Sequence, residues 1–239
     1  MFKRKRSQRE IFASLDWWDE GCFLGQMTGD RCDYIESCIT RAYGQWALQQ
    51  QEILEIGCGG GLICEQLARR KATMVGIDLS EGALAAARAH ARQSGLGHII
   101  HYEQVSAEAL PYADGSFSVI ICLDVLEHVR DLKATIAEIA RVLAPGGIFV
   151  FDTINRTLIA RAVLIWYGEH FPSGGLTRGI HNYHDFIKPA ELRGILAANG
   201  LRVQELTGFM PRGYVDGHFK MGPGWFIGIA YVGYAIKMR

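Results

Sequence analysis

Ile53-Leu-Glu-Ile56 runs straight into Gly57-Cys-Gly-Gly-Gly61, and a second apolar run, Ala72–Ile77, ends on Asp78. A short apolar run bounded by glycines reads as a buried strand. The glycines let the chain turn sharply and bring its backbone close to whatever lies above it. Residues 62–70 between the two runs read as a helix. Ser80 is a good N-cap for a second helix over 81–94, with Glu81 in the favourable first turn. Strand, glycine turn, helix and strand closed by a carboxylate together make the opening half of an α/β unit.

The alternation continues outward from this stretch. His98–Val105 and Phe117–Leu123 read as strands, the latter too apolar to be half exposed. Asp131 caps a helix that keeps Leu132, Ile136, Ile139 and Leu143 on one face and stops at Pro145-Gly-Gly147, before a strand over Ile148–Thr153. Apolar strands alternating with helices predict a parallel sheet covered on both faces. The rhythm then breaks. Residues 156–171 read as an apolar helix, 173–188 as a loop, and 189–199 as a helix opened by Pro189. Leu201–Phe209 and Trp225–Lys237 read as a closing antiparallel pair. Residues 8–48 read as helical, with a second helix starting near Thr28 to Asp30. The expected fold is α/β: a doubly wound, Rossmann-like, mostly parallel seven-stranded sheet with an antiparallel terminal pair and an added helical lid. Residues 1–48 form the lid segment. Residues 49–239 form the main domain, with 155–188 as an inserted segment covering the substrate.

Composition narrows the function classes. The 239 residues carry 25 Lys plus Arg against 25 Asp plus Glu. A zero net charge argues against a nucleic-acid partner, which normally calls for a basic excess. The six cysteines form neither a CxxC pair nor a zinc spacing, and read as reduced, buried residues of a cytoplasmic protein. The start, Met1-Phe-Lys-Arg-Lys-Arg6, is basic but lacks the apolar core of a secretory signal. The longest uncharged stretch, Met221–Ile236, is shorter than the ~20 residues that span a bilayer and is interrupted by Gly and Pro.

A glycine loop followed about 20 residues later by a strand-ending acid suits a nucleotide whose ribose hydroxyls meet the carboxylate. Dinucleotides and S-adenosylmethionine both use such a loop. The spacing Glu55-x-Gly57-x-Gly59-x-Gly61 resembles that of class I methyltransferases rather than the GxGxxG of dehydrogenases. So do Ser106-Ala-Glu-Ala-Leu-Pro111, Asp114-Gly-Ser-Phe117, Asp124-Val-Leu-Glu-His-Val129 and Arg141-Val-Leu-Ala-Pro-Gly-Gly147. Over residues 50–154 the resemblance implies S-adenosylmethionine at the carboxyl ends of the strands. It would have Gly57 and Gly59 at the methionine part and Asp78 at the ribose, with Glu55 and Leu79 also among the cofactor-binding residues. Ala107 and Glu108 would lie at the adenine edge and Leu123 beside the sulfonium.

The flanks are more specific. Trp17-Trp18-Asp19, Arg31 with Tyr34-Ile35, Thr153-Ile-Asn-Arg156, Phe186-Ile-Lys-Pro-Ala-Glu-Leu192 and Phe219-Lys-Met-Gly-Pro223 resemble the O-methyltransferases of ubiquinone biosynthesis. That resemblance implies methyl transfer to a phenol or catechol hydroxyl of a polyprenylated quinone precursor, with Arg31 contacting the cofactor carboxylate. It maps the family's acid-acid-His cluster onto Asp124, Glu127 and His128. These are the expected catalytic residues and the expected ligands of Mg2+ or another divalent cation, on one face if the segment is helical. The same residues also read as a metal-free pocket floor with His128 as base. Asp124 stands where the family usually has Glu, and Asn182 stands where it has Asp. These departures keep open the alternative of a class I methyltransferase acting on another small-molecule acceptor.

Thr157–Tyr167 is apolar almost all round, so the helix is either buried or meets a partner or lipid. With Phe171, His181, Tyr183 and His184 it could roof a pocket for an isoprenoid-tailed phenol. Together with the basic arm, Lys3 to Arg6, it leads to an expectation of cytoplasmic protein in peripheral contact with the inner membrane.

Overall fold

The computed structural model describes residues 11–12, 15–19, 22–45, 47–171, 176–215 and 218–239. The basic arm Lys3–Arg6 lies outside them. Helix α1 (Phe23–Tyr43) leads into β1 (Glu52–Ile56), followed by α2 (Leu62–Arg69), β2 (Thr73–Asp78), α3 (Glu81–Gln93) and β3 (Ile100–Gln104). Next come β4 (Phe117–Cys122), α4 (Leu132–Val142) and β5 (Leu143–Ile154). Segment α5 opens as an α turn over Leu158–Ala160 and continues as a π-helix over Arg161–Gly168. It is followed by α6 (Pro189–Ala198), β6 (Leu201–Val215), β7 (His218–Gly224) and β8 (Ala230–Lys237).

The strands form one sheet in the order β3-β2-β1-β4-β5-β8-β6-β7. The pairs from β3 through β5 are parallel; those of β8 and of β7 are antiparallel. The chain order reverses between β1 and β4, and that switch point opens a crevice at the carboxyl ends of the two strands.

Period-two alternation supplies both cores. Ile53, Val119, Ile121, Ile148 and Val150 face α1, α2 and α3, where Ile35, Ile39, Leu67 and Leu84 are buried. Their neighbours Leu54, Ile56, Ile120, Phe149 and Phe151 face α4 and α6, where Ile136, Ile139, Leu192 and Leu196 are buried.

The sheet has eight strands rather than seven. The expected closing pair is interrupted by a hairpin, because β6 runs on to Val215 and His218–Gly224 folds back along it. Glycine and proline around Pro211 and Gly222-Pro-Gly224 read as loop in the sequence. Here Pro211 sits at a register irregularity and Pro223 on the edge strand, two places where a missing N–H costs no ladder bond. At the other end, α1 begins at Phe23 rather than near Thr28, and Leu15–Asp19 contains a turn rather than a helix. No helix among the described residues is long and apolar enough to cross a membrane.

Asp131 accepts hydrogen bonds from the backbone N–H groups of Lys133 and Ala134, both at 3.0 Å. Asp131→Ala should therefore lower the unfolding free energy by about 1 kcal/mol. Urea denaturation should show a lower midpoint with an unchanged slope.

Candidate active site

The glycine loop is shaped by bonds to the end of β2. The N–H groups of Gly57 and Cys58 donate to Ile77 O at 2.7 and 2.9 Å. Gly59 N–H donates to Asp78 Oδ2 at 3.0 Å, and Ser80 N–H donates to Asp78 Oδ1 at 2.7 Å. Gly57 and Gly61 have φ of 72° and 83°, the left-handed region, and a Cβ on either would collide with Val125 or Tyr102. Asp78 thus props the loop and, with four lone-pair positions on its carboxylate, retains capacity for ligand hydroxyls. Behind the loop Glu55 is buried, its Oε2 without a partner among the described residues. Burial pushes its carboxyl up to about 7, against the opposing hydrogen bond with Cys64.

Along the crevice wall, Leu79 is exposed while Ala107 and Leu123 are buried. Glu108 accepts from Ser106 Oγ and, at 3.0 Å, from Arg130 N–H. Burial raises the Glu108 carboxyl, but these bonds outweigh it and hold the group below the ordinary range.

The opposite side of the switch point is built on a buried cation. Arg31, from α1, places Nη1 2.5 Å from Asp124 Oδ2 and Nη2 3.2 Å from Asp152 Oδ2. Asp124 has a φ of 54°, rare for a residue with a Cβ, and its N–H donates to Asp152 Oδ1 at 2.5 Å. Burial opposes the Arg31 charge, yet the two aspartates and Glu127 outweigh it and hold the guanidinium protonated. Burial and then Asp124 push Asp152 up to about 7, against Arg31.

Glu127 is buried and accepts from Thr153 Oγ1 at 2.8 Å. Burial, followed by Asp124 and Asp152, pushes it up to about 8. His128 stacks on His181, with ring centroids 5.6 Å apart, and meets Phe12 edge-on at 5.5 Å. Burial and then His181 push His128 down to about 4, against the pull of Asp124. His181 is itself oriented by Glu169, whose Oε1 lies 3.0 Å from Nδ1. Glu169 also gathers the backbone N–H groups of Gly179 and His181.

Asp124, Glu127 and His128 do not share one face. The segment is a turn rather than a helix, so the spacing of three and four carries no face rule. Asp124 is taken by Arg31, Glu127 turns inward to Thr153, and His128 turns to His181. Among the described residues, no group of three or more His, Cys, Asp or Glu is arranged to hold a metal ion. As placed, the three side chains do not fit a divalent cation; the charge that balances the acids is the guanidinium of Arg31.

A carboxylate-bearing nucleoside fits better. The loop presents glycine backbone to the crevice, and the buried Nε of Arg31 has no acceptor among the described residues. Sequence reasoning missed Asp152 and Glu169. The signal for Asp152 was present: one acid inside the apolar run Ile148-Phe-Val-Phe-Asp-Thr-Ile154 must have a buried partner.

A family profile described as "Methyltransferase domain" matches residues 54–151. The "Ubiquinone biosynthesis O-methyltransferase" of Sinorhizobium medicae is 38% identical over 213 residues, covering 85% of each chain. The protein of the same name from Parvibaculum lavamentivorans is 40% identical over 203 residues, covering 82% of this chain and 79% of its own. This chain belongs to that methyltransferase family. Solved structures agree on the fold. A SAM-dependent methyltransferase from Aquifex aeolicus superposes with TM-score 0.65 at 14% identity, covering 98% of this chain and all of its own. The magnesium protoporphyrin IX methyltransferase of Synechocystis PCC 6803, solved with bound SAH, gives 0.62 at 21% identity, covering 96% and 93%. Membership makes the chain an S-adenosylmethionine-dependent methyltransferase.

The raised Glu55 carboxyl carries a sign for stability. From its ordinary 4.5 up to about 7 the unfolded chain releases this proton while the folded chain keeps it, so Glu55 makes stability fall as pH rises through that window. Glu55→Gln should remove this contribution and gain on the order of 2 kcal/mol over the parent at pH 8 relative to pH 4.5. Urea titrations of both proteins across the window check it. Parallel curves would show that Glu55 does not carry the effect.

Proposed function

We propose that the chain transfers the methyl group of S-adenosylmethionine to a hydroxyl of a polyprenylated phenol or catechol, a demethylated quinol on the way to ubiquinone. The observation that carries this reading is similarity along about four-fifths or more of both chains to relatives of that name, beyond the generic core. When bound, the cofactor supplies an electrophilic methyl group on a sulfonium. The chain's own residues must bind it, hold the acceptor in line and take the acceptor's proton.

In this reading Gly57, Gly59 and Arg31 receive the methionine end, with Glu55 behind the loop. Asp78 and Leu79 meet the ribose, Ala107 and Glu108 the adenine edge, and Leu123 flanks the sulfonium. A phenol releases its proton only near pH ~10, so a nearby acceptor is needed at neutral pH. His128 is neutral at pH 7 and sits beside that space, with Asp124 stabilising the imidazolium as it forms. Glu127, kept protonated by burial, shapes the floor. In a dry pocket alignment of the two reactants supplies much of the rate.

Residues 155–188 form the substrate cover. Leu158, Ile159, Trp166, Tyr167 and Phe171 project into solvent from and beside α5, with Leu158 73% and Trp166 64% exposed. A row of large apolar side chains next to Arg161 suits shallow contact with a lipid surface, where an isoprenoid-tailed acceptor resides.

Labelled cofactor and a demethyl-quinol in detergent micelles should give a methyl ether, and His128→Ala should lower kcat by about a hundredfold or more. Methylation of a different acceptor, with none on any quinol hydroxyl, would replace the substrate class. In flotation assays with anionic vesicles, the double change Leu158→Ser and Trp166→Ser should reduce the bound fraction while leaving transfer to a short-chain quinol intact.

A further inference from the structure

The glycine loop holds a protein side chain as well as a ligand space. The Trp17 indole lies flat on it: a Cβ on Gly59 would come within 2.6 Å of Trp17 Cη2, and one on Gly60 within 2.2 Å of Trp17 Cγ. Gly59 and Gly60 are therefore bare because an aromatic ring needs the room. Trp18 pins this segment in place. Its Nε1–H donates to Gly60 O at 3.1 Å, and its ring stacks on His90 with centroids 3.4 Å apart and planes within 5°. His90 is in turn held by the buried carboxylate of Glu65 at 2.7 Å. At the other edge Phe12 stacks with Trp17 at 6.2 Å and reaches His128 at 5.5 Å. The tryptophan pair thus closes the crevice from the loop side toward the catalytic histidine.

One atom in this cover is unexplained by folding. Trp17 is 8% exposed, and its Nε1–H is buried without an acceptor among the described residues. A buried donor left unpaired costs about 1–3 kcal/mol, a penalty that a ligand acceptor removes. Arg31 Nε, on the helix bordering the same crevice, is a second buried donor without an acceptor among the described residues. Two buried N–H donors without acceptors among the described residues would both be satisfied by an anionic ligand group.

We propose that Trp17 is a cofactor-binding residue whose indole N–H donates to the methionine carboxylate of S-adenosylmethionine, with Trp18 as the anchor that holds it there. The assignment rests on the cofactor reading above. It makes the N-terminal tryptophan pair part of the binding site rather than a passive cover. A ring on the Gly59–Gly60 backbone also screens this carboxylate contact from water, which strengthens it.

Calorimetric titration of the full chain separates the possibilities, using S-adenosylhomocysteine and 5′-methylthioadenosine, which shares the nucleoside and thioether but has no amino-acid end. Trp17→Phe keeps a ring on the loop and drops the N–H. It should weaken S-adenosylhomocysteine about tenfold, equivalent to about 1.4 kcal/mol, leave methylthioadenosine unchanged, and keep the ligand-free melting temperature at or above that of the parent. Benzothienylalanine at position 17, which retains the bicyclic shape and lacks only the N–H, should repeat this result. Unchanged S-adenosylhomocysteine affinity, or equal loss for both ligands, would overturn the assignment. Failure of the unaltered chain to bind either ligand would instead overturn the cofactor reading on which it rests.

Discussion

One buried guanidinium holds the working end of this molecule together. Arg31 belongs to α1, ahead of the sheet, yet its side chain ends between Asp124 after β4 and Asp152 within β5. A charge taken out of water is expensive, and removing one partner of such a cluster costs about 3–5 kcal/mol because the rest is left uncompensated. The corner therefore fixes three segments distant in sequence to one geometry. It also accounts for the left-handed backbone of Asp124, which aims that carboxylate at Arg31 and its N–H at Asp152.

From that corner the chemistry spreads along the strand ends. Burial keeps Glu127 protonated and His128 neutral, so the floor of the crevice carries little net charge beyond the Arg31 cluster. Burial and His181 disfavour the charged imidazole of His128, and Asp124 is the neighbour that favours it. On the far side of the switch point Asp78 braces the glycine loop through Gly59 and Ser80. The two halves of the crevice thus differ in kind. One is a glycine backbone turn covered by the Trp17 ring; the other is a balanced ionic corner.

The parts legible in the sequence were those set by local physics. The apolar runs of β1 and β4, the caps at Ser80 and Asp131 and the glycine turn each follow from neighbouring residues and sit where the pattern places them, whereas β5 opens early, at Leu143, on residues read as the helix end and its Pro-Gly-Gly stop. The β6–β7 hairpin was illegible because its glycines and prolines mimic a loop and only pairing across the sheet makes it a strand. The acid-acid-His spacing misled because a face rule requires a helix, and the chain forms a turn there. For α5 the apolar composition left burial or contact with a partner or lipid open; Ala160 is buried and Leu164 and Ile165 pack inward, while Leu158 and Trp166 are exposed. The apolar run around Asp152 calls for a buried partner, but that the partner is Arg31, 121 positions earlier in the chain, shows only in the fold.

The most direct test of the Arg31 corner is a double-mutant cycle on unfolding free energy with Arg31→Met and Asp124→Asn, alone and combined. If the guanidinium organises the carboxylates, Arg31→Met alone destabilises by on the order of 3–5 kcal/mol. The combined variant is then more stable than the sum of the single losses by more than ~1 kcal/mol. Strictly additive losses would contradict it, because they would mean that α1 and the end of β4 are held together by something other than this ion pair.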